Sequence, residues 1–126
     1  MGARQLNIVV AERNRLVAEA IRDVFLEIAG DAEVSIADSL AAALGIARRS
    51  SPDLIVADMW IGGYSLEETL RQLKEWSPSA EIMVTSSHVD ADLRRRVSRA
   101  GAMGCIEREQ ILGKAAGILE QLGAAR

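Results

Sequence analysis

The sequence predicts an α/β fold, a doubly wound sheet of five parallel strands with helices on both faces. Three observations carry that expectation. Five short apolar runs alternate with five segments whose apolar residues recur at helical spacing. The run Leu54–Ala57 is apolar at every position, the pattern of a strand buried on both faces. Turn and cap residues fall at the junctions between these segments.

The expected strands are Leu6–Ala11, Glu33–Ala37, Leu54–Ala57, Glu81–Thr85 and Met103–Glu107. The first helical stripe is Val17, Ala20, Ile21, Val24, Phe25 and Ile28. The second is Leu40, Ala43, Leu44 and Ala47, and the third is Leu66, Leu70 and Leu73. The fourth is Leu93, Val97 and Ala100, and the last runs through Ile111, Leu112, Ala115, Ile118, Leu119 and Leu122. Gly30 and Gly101 stand where helix C-caps are expected. Ser51-Pro52 and Ser77-Pro78 stop the second and third helices. Ser65 with Glu68 three residues on is the pattern of a capping box.

The chain has 126 residues and a net charge of −3, which suits one domain and gives no electrostatic footprint for nucleic acid. With one phenylalanine, one tyrosine and two tryptophans, the core must be built from Ala, Val, Ile and Leu. Cys105 is the only cysteine, so an internal disulfide is excluded. No apolar run reaches membrane-spanning length, and Met1 to Asn7 lacks a signal-peptide h-region. A cytoplasmic protein is the expectation.

Strand–helix alternation requires parallel strands and right-handed crossovers. Sites in such sheets lie outside the carboxyl ends of the strands. The residues there are Glu12 and Arg13, Asp58, Thr85 and Ser86, and Arg108.

These residues sit in four segments that resemble the receiver domain of bacterial response regulators. The segments are ERNRLVAEAIR (12–22), PDLIVADMWIGG (52–63), EIMVTSSH (81–88) and AGAMGCIER (100–108). The resemblance implies a flavodoxin-like sheet with strand order 2-1-3-4-5. It implies that Asp58 is the phospho-acceptor, that Thr85 binds the phosphoryl group, and that Arg108 stands at the position of a phosphoryl-contacting lysine. It implies Mg²⁺ held by Glu12, Asp58 and the backbone carbonyl of Trp60, weakened or lost because Arg13 stands where a second acid belongs. Cys105 takes the place of an aromatic that reports activation, and Gly62 that of a proline.

Arginine cannot ligate a metal. Three readings are open to Arg13: pairing with Asp58 and holding it ionised, gripping a phosphoryl group by its fork, or standing as a solvated surface arginine. Trp60, beside Asp58, could shield an acyl phosphate or anchor a partner. Arg94, Arg95, Arg96 and Arg99 form either a solvated face or a contact for an acidic partner. His88 has no companion at metal spacing, and Cys105 has no nearby base.

Two functions are expected to compete. One is a two-component receiver or phosphorelay module, switched when a histidine kinase or phosphotransfer protein modifies Asp58. The other is a phosphate-independent pseudo-receiver that binds a partner, or a second copy, through the fourth helix, fifth strand and fifth helix. In neither is the chain an enzyme beyond its own phosphorylation and dephosphorylation. The turn Glu12-Arg13-Asn14-Arg15 lacks a glycine-rich phosphate cradle, and neither Ser65 nor Ser86 sits in a nucleophile elbow. The chain reads as a single receiver-like domain, 1–126, with no output domain, no membrane contact and no direct nucleic-acid binding.

Overall fold

The computed structural model describes residues 5–63 and 65–125. Strands β1 (Asn7–Ala11), β2 (Glu33–Ala37), β3 (Leu54–Asp58), β4 (Glu81–Ser86) and β5 (Gly104–Glu107) form one sheet. Their order is β2-β1-β3-β4-β5, and every pairing is parallel. Between them run α1 (Arg15–Ile28), α2 (Leu40–Ser50), α3 (Leu66–Trp76) and α4 (Ala91–Arg99). A short 3₁₀ turn (Arg108–Gln110) leads from β5 into α5 (Ile111–Ala125). The expected fold class and strand order are thus those of the molecule.

Side chains alternate across the sheet, and each face has its own core. Val9, Ile55, Ala57, Ile82 and Val84 pack under α2, α3 and α4, with Leu40, Leu70, Leu73 and Val97. Ile8, Val10, Leu54, Val56 and Met83 pack under α1 and α5, with Ile21, Phe25, Ile111 and Leu122. Strand β3 is buried along its whole length because both layers cover it. The fully apolar run in the sequence has this cause.

Local chemistry starts each of the first four helices. The side chains of Asn14, Ser39, Ser65 and Asp90 accept the backbone N–H of Val17, Ala42, Glu68 and Leu93, at 3.2, 3.1, 3.1 and 2.8 Å. Replacing Ser39 with alanine should cost about 1 kcal/mol in urea unfolding, with an unchanged m-value. The capping box at α3 is only half made. Ser65 caps Glu68, but the Glu68 carboxylate turns outward to Arg71 at 2.6 Å. The helix ends also correct the sequence reading. Gly101 adopts φ +88°, as a left-handed C-cap requires, whereas α1 is closed by Ala29 at φ −125° and Gly30 is not left-handed. The left-handed cap of α2 is Ser51, at φ 48°.

Candidate functional site

The period of two in the strands decides which side chains meet. Leu54 and Val56 face α1 and α5, so Asp58, two residues on, points to the same side at the carboxyl end of β3. Met83 faces that side too, which puts Thr85 there. Asp58 and Thr85 are register partners across β3 and β4, and both are buried. Glu12 follows Ile8 and Val10 in the same phase. Its N–H donates to the carbonyl of Ala37 at 2.9 Å, one rung beyond the β1 strand.

The chain around Asp58 is held by its own backbone. The Met59 N–H donates to the Thr85 carbonyl at 2.9 Å, and the Ile61 N–H to the Asp58 carbonyl at 3.0 Å. The Trp60 N–H donates to Asp58 Oδ2 at 3.0 Å, leaving Oδ1 facing the site. Gly62 is set by close approach rather than by a positive φ. A Cβ there would collide with Oγ1 of Thr69 on α3 and lie 3.3 Å from a methyl of Leu40. That crowding is why a larger residue does not fit after the acceptor turn. Trp60 is 58% exposed at the rim of the site.

Arg108 closes the constellation. Its Nη2 donates to Asp58 Oδ1 at 2.7 Å, and its Nε lies 3.4 Å from Glu12 Oε1. The side chains of Glu12 and Asp58 are 7% and 9% exposed and that of Arg108 31%, so the bridge lies in the mouth of the sheet. Glu12 Oε2 accepts the Asn14 N–H at 2.9 Å, which fixes the carboxylate toward the site. Glu12 Oε1 and Arg108 Nε are buried with no hydrogen-bond partner.

Arg13 does not make the expected pairing with Asp58 and takes the solvated position instead. It is exposed, and among the described residues no ion pair joins it to Asp58. The turn that turns Glu12 inward and makes Asn14 the α1 cap leaves Arg13 in solvent, and Arg108 makes the pairing instead. Asn14 is therefore a positioning residue that sequence reasoning missed. Its signal was an Asn three residues ahead of Val17, the spacing of an N-cap.

The residues suit Mg²⁺ poorly. Mg²⁺ demands near-octahedral oxygen ligation and usually carboxylates. Here a guanidinium stands between the two carboxylates, and the Trp60 carbonyl already accepts the Gly63 N–H at 3.1 Å. Among the described residues no group of three His, Cys, Asp or Glu side chains could hold a metal ion. His88 is exposed.

The fourth helix spends part of its charge internally. Arg96 forks onto Glu67 of α3 at 2.7 and 3.0 Å and holds that carboxyl down to about 2, while Arg95 lies 3.5 Å from Asp92. Trp76 is partly exposed under the guanidinium of Arg48, at 5.5 Å from the ring centroid. Cys105 is half-buried rather than fully in the core. It floors an open cavity of about 580 Å³ between α4 and α5, walled by Met83, Val89, Arg94, Gly113 and Gly117. Burial pushes its thiol up.

Residues 8–114 match the response regulator receiver domain family. The chain is 29% identical over 107 residues, 85% of its length, to a Pseudomonas aeruginosa protein named as a transcriptional regulator. It is 28% identical over 98 residues, 78% of its length, to a response regulator receiver protein of Anaeromyxobacter sp.. It spans 51% and 40% of the lengths of these two curated relatives. A two-component response regulator of the LuxR family from Aurantimonas sp. superposes with TM-score 0.85 at 23% identity, covering 98% of this chain and 88% of that one. A response regulator from Thermotoga maritima gives TM-score 0.82 at 24% identity, covering 94% and 98%. With the family match spanning most of the chain and the sheet order that the family shares, this chain belongs to the response regulator receiver domains.

Proposed function

We propose that this receiver accepts a phosphoryl group on Asp58 and passes the change to a protein-binding surface. Receiver domains are in general non-enzymatic signalling modules that interact with kinases and phosphotransfer proteins, and a histidine kinase or phosphotransfer protein is the donor in this reading. The observation that carries it is the convergence of three groups on one point. Asp58 supplies the nucleophilic carboxylate, its register partner Thr85 a buried hydroxyl, and Arg108 a cation 2.7 Å from Asp58 Oδ1. A phosphoryl group adds negative charge and three acceptor oxygens where a hydroxyl and a guanidinium can meet them. Movement of Thr85 toward that group would strain β4 and reach α4, β5 and α5, the surface proposed for a partner or a second copy. In this reading the domain meets its phosphoryl donor in the cytoplasm; among the described residues no helix is long and apolar enough to cross a membrane.

Intact mass after incubation with acetyl phosphate tests the reading. Wild type should gain one phosphoryl group and Asp58→Ala none. An adduct that survives in Asp58→Ala places the chemistry elsewhere. A second reading, a phosphate-independent module, is favoured by one feature: both carboxylate oxygens of Asp58 are already bonded, to Arg108 and to the Trp60 N–H. Under it, binding partners would not discriminate Asp58→Ala from wild type.

A further inference from the structure

We infer that Arg108 is the resident cation of this site, so that Asp58 takes up its phosphoryl group without a divalent metal. The inference rests on the acceptor reading above and concerns what neutralises the charge. Phosphoryl transfer needs positive charge beside the transferred group. The sequence places Arg13 where a second acid would complete a metal shell, and the structure leaves Arg13 in solvent. Glu12 and Asp58 are the anions joined at the mouth, and one guanidinium spans both, at 3.4 and 2.7 Å. A metal ion between them would have to expel Arg108 from two carboxylates.

The loosely held donor is the second observation. Arg108 Nε is buried and makes no hydrogen bond, although it lies 3.4 Å from Glu12 Oε1. The guanidinium therefore enters the reaction with Nη2 on the nucleophilic carboxylate and Nε turned toward Glu12, held by one hydrogen bond rather than two. In the step, a carboxylate oxygen of Asp58 attacks phosphorus, and the bond from phosphorus to the donor's leaving group breaks. The leaving group departs with the electron pair, as acetate when the donor is acetyl phosphate. No proton moves. The product carries one more negative charge than the free carboxylate, and the fork of Arg108 can bind two of its oxygens. A lysine of the same charge offers no such fork.

Intact-mass time courses with acetyl phosphate, in EDTA and in millimolar Mg²⁺, decide the matter for wild type and Arg108→Lys. Wild type should label at the same rate in both buffers, and Arg108→Lys should label about tenfold more slowly in EDTA. Wild-type labelling that requires Mg²⁺ overturns this inference and leaves Asp58 as the acceptor. Absence of any wild-type adduct in either buffer removes the acceptor reading, and this one with it. A measurement that needs no phosphorylation stands beside these. Emission of Trp60, at the rim of the site, should not change as Mg²⁺ is added to wild type. Saturable quenching that is lost in Trp60→Phe overturns the inference whatever the labelling does.

Discussion

Arg108→Met is expected to unfold at a lower urea concentration than wild type, with a loss of about 2–3 kcal/mol at neutral pH. Methionine keeps the apolar inner part of the side chain and removes the charged end, so two carboxylates remain in the mouth of the sheet with no cation between them. Glu12 and Asp58 are 7% and 9% exposed, too little for water to solvate both. Removing one partner of a fully buried ion pair costs about 3–5 kcal/mol. The bridge here is partly open to solvent on the Arg108 side, which puts the expectation at the lower end. The sign of the salt effect separates this cause from lost packing. Added salt screens two like charges, so it should stabilise Arg108→Met more than wild type. A loss of stability that salt does not reduce would mean that the side chain acts by packing alone.

Phe25→Ala is expected to have the larger effect on the fold, about 3–5 kcal/mol. Phe25 is the only phenylalanine and is completely buried, the largest of the fully buried side chains among the described residues. It fills the space between α1 and the sheet, among Ile8, Ile21, Leu54 and Leu122. Most of that cluster is branched aliphatic side chains in a close-packed interior, which relaxes only partly into a gap. Urea unfolding should give a shifted midpoint at constant slope. A loss below about 1 kcal/mol would show that α1 slides to fill the cavity.

The fold was legible because two periodicities alternate without interference. Leu54 to Ala57, apolar at every position, marks the strand covered on both faces, and Ile21 and Phe25 mark the buried side of a helix, whereas Ile28 at its end is 46% exposed. Asp58 and Thr85 were legible for the same reason, since each falls at the end of an apolar run. What the sequence concealed was the direction of side chains beyond the strand ends. Glu12 and Arg13 are neighbours in the chain, yet one turns inward and the other stands in solvent, because Asn14 caps α1 and fixes the Glu12 carboxylate. The cation of the site therefore comes from Arg108, 95 positions after Arg13 in the chain. Gly62 was concealed for a second reason. Its constraint is the hydroxyl of Thr69, brought close by the packing of α3, and no local pattern encodes that approach.

The lone thiol of Cys105 turns the hollow between α4 and α5 into an intrinsic reporter. Gly113 and Gly117 bring no side chain to that wall, and a Cβ at either would meet nothing within 4 Å. A small thiol reagent can therefore reach the floor of the cleft from solvent. Burial pushes the thiol up and so lowers its thiolate fraction, which makes its modification slow and sensitive to small changes in how open the cleft is. With no other cysteine in the chain, the rate of a single alkylation reads the geometry of this face without any engineered label.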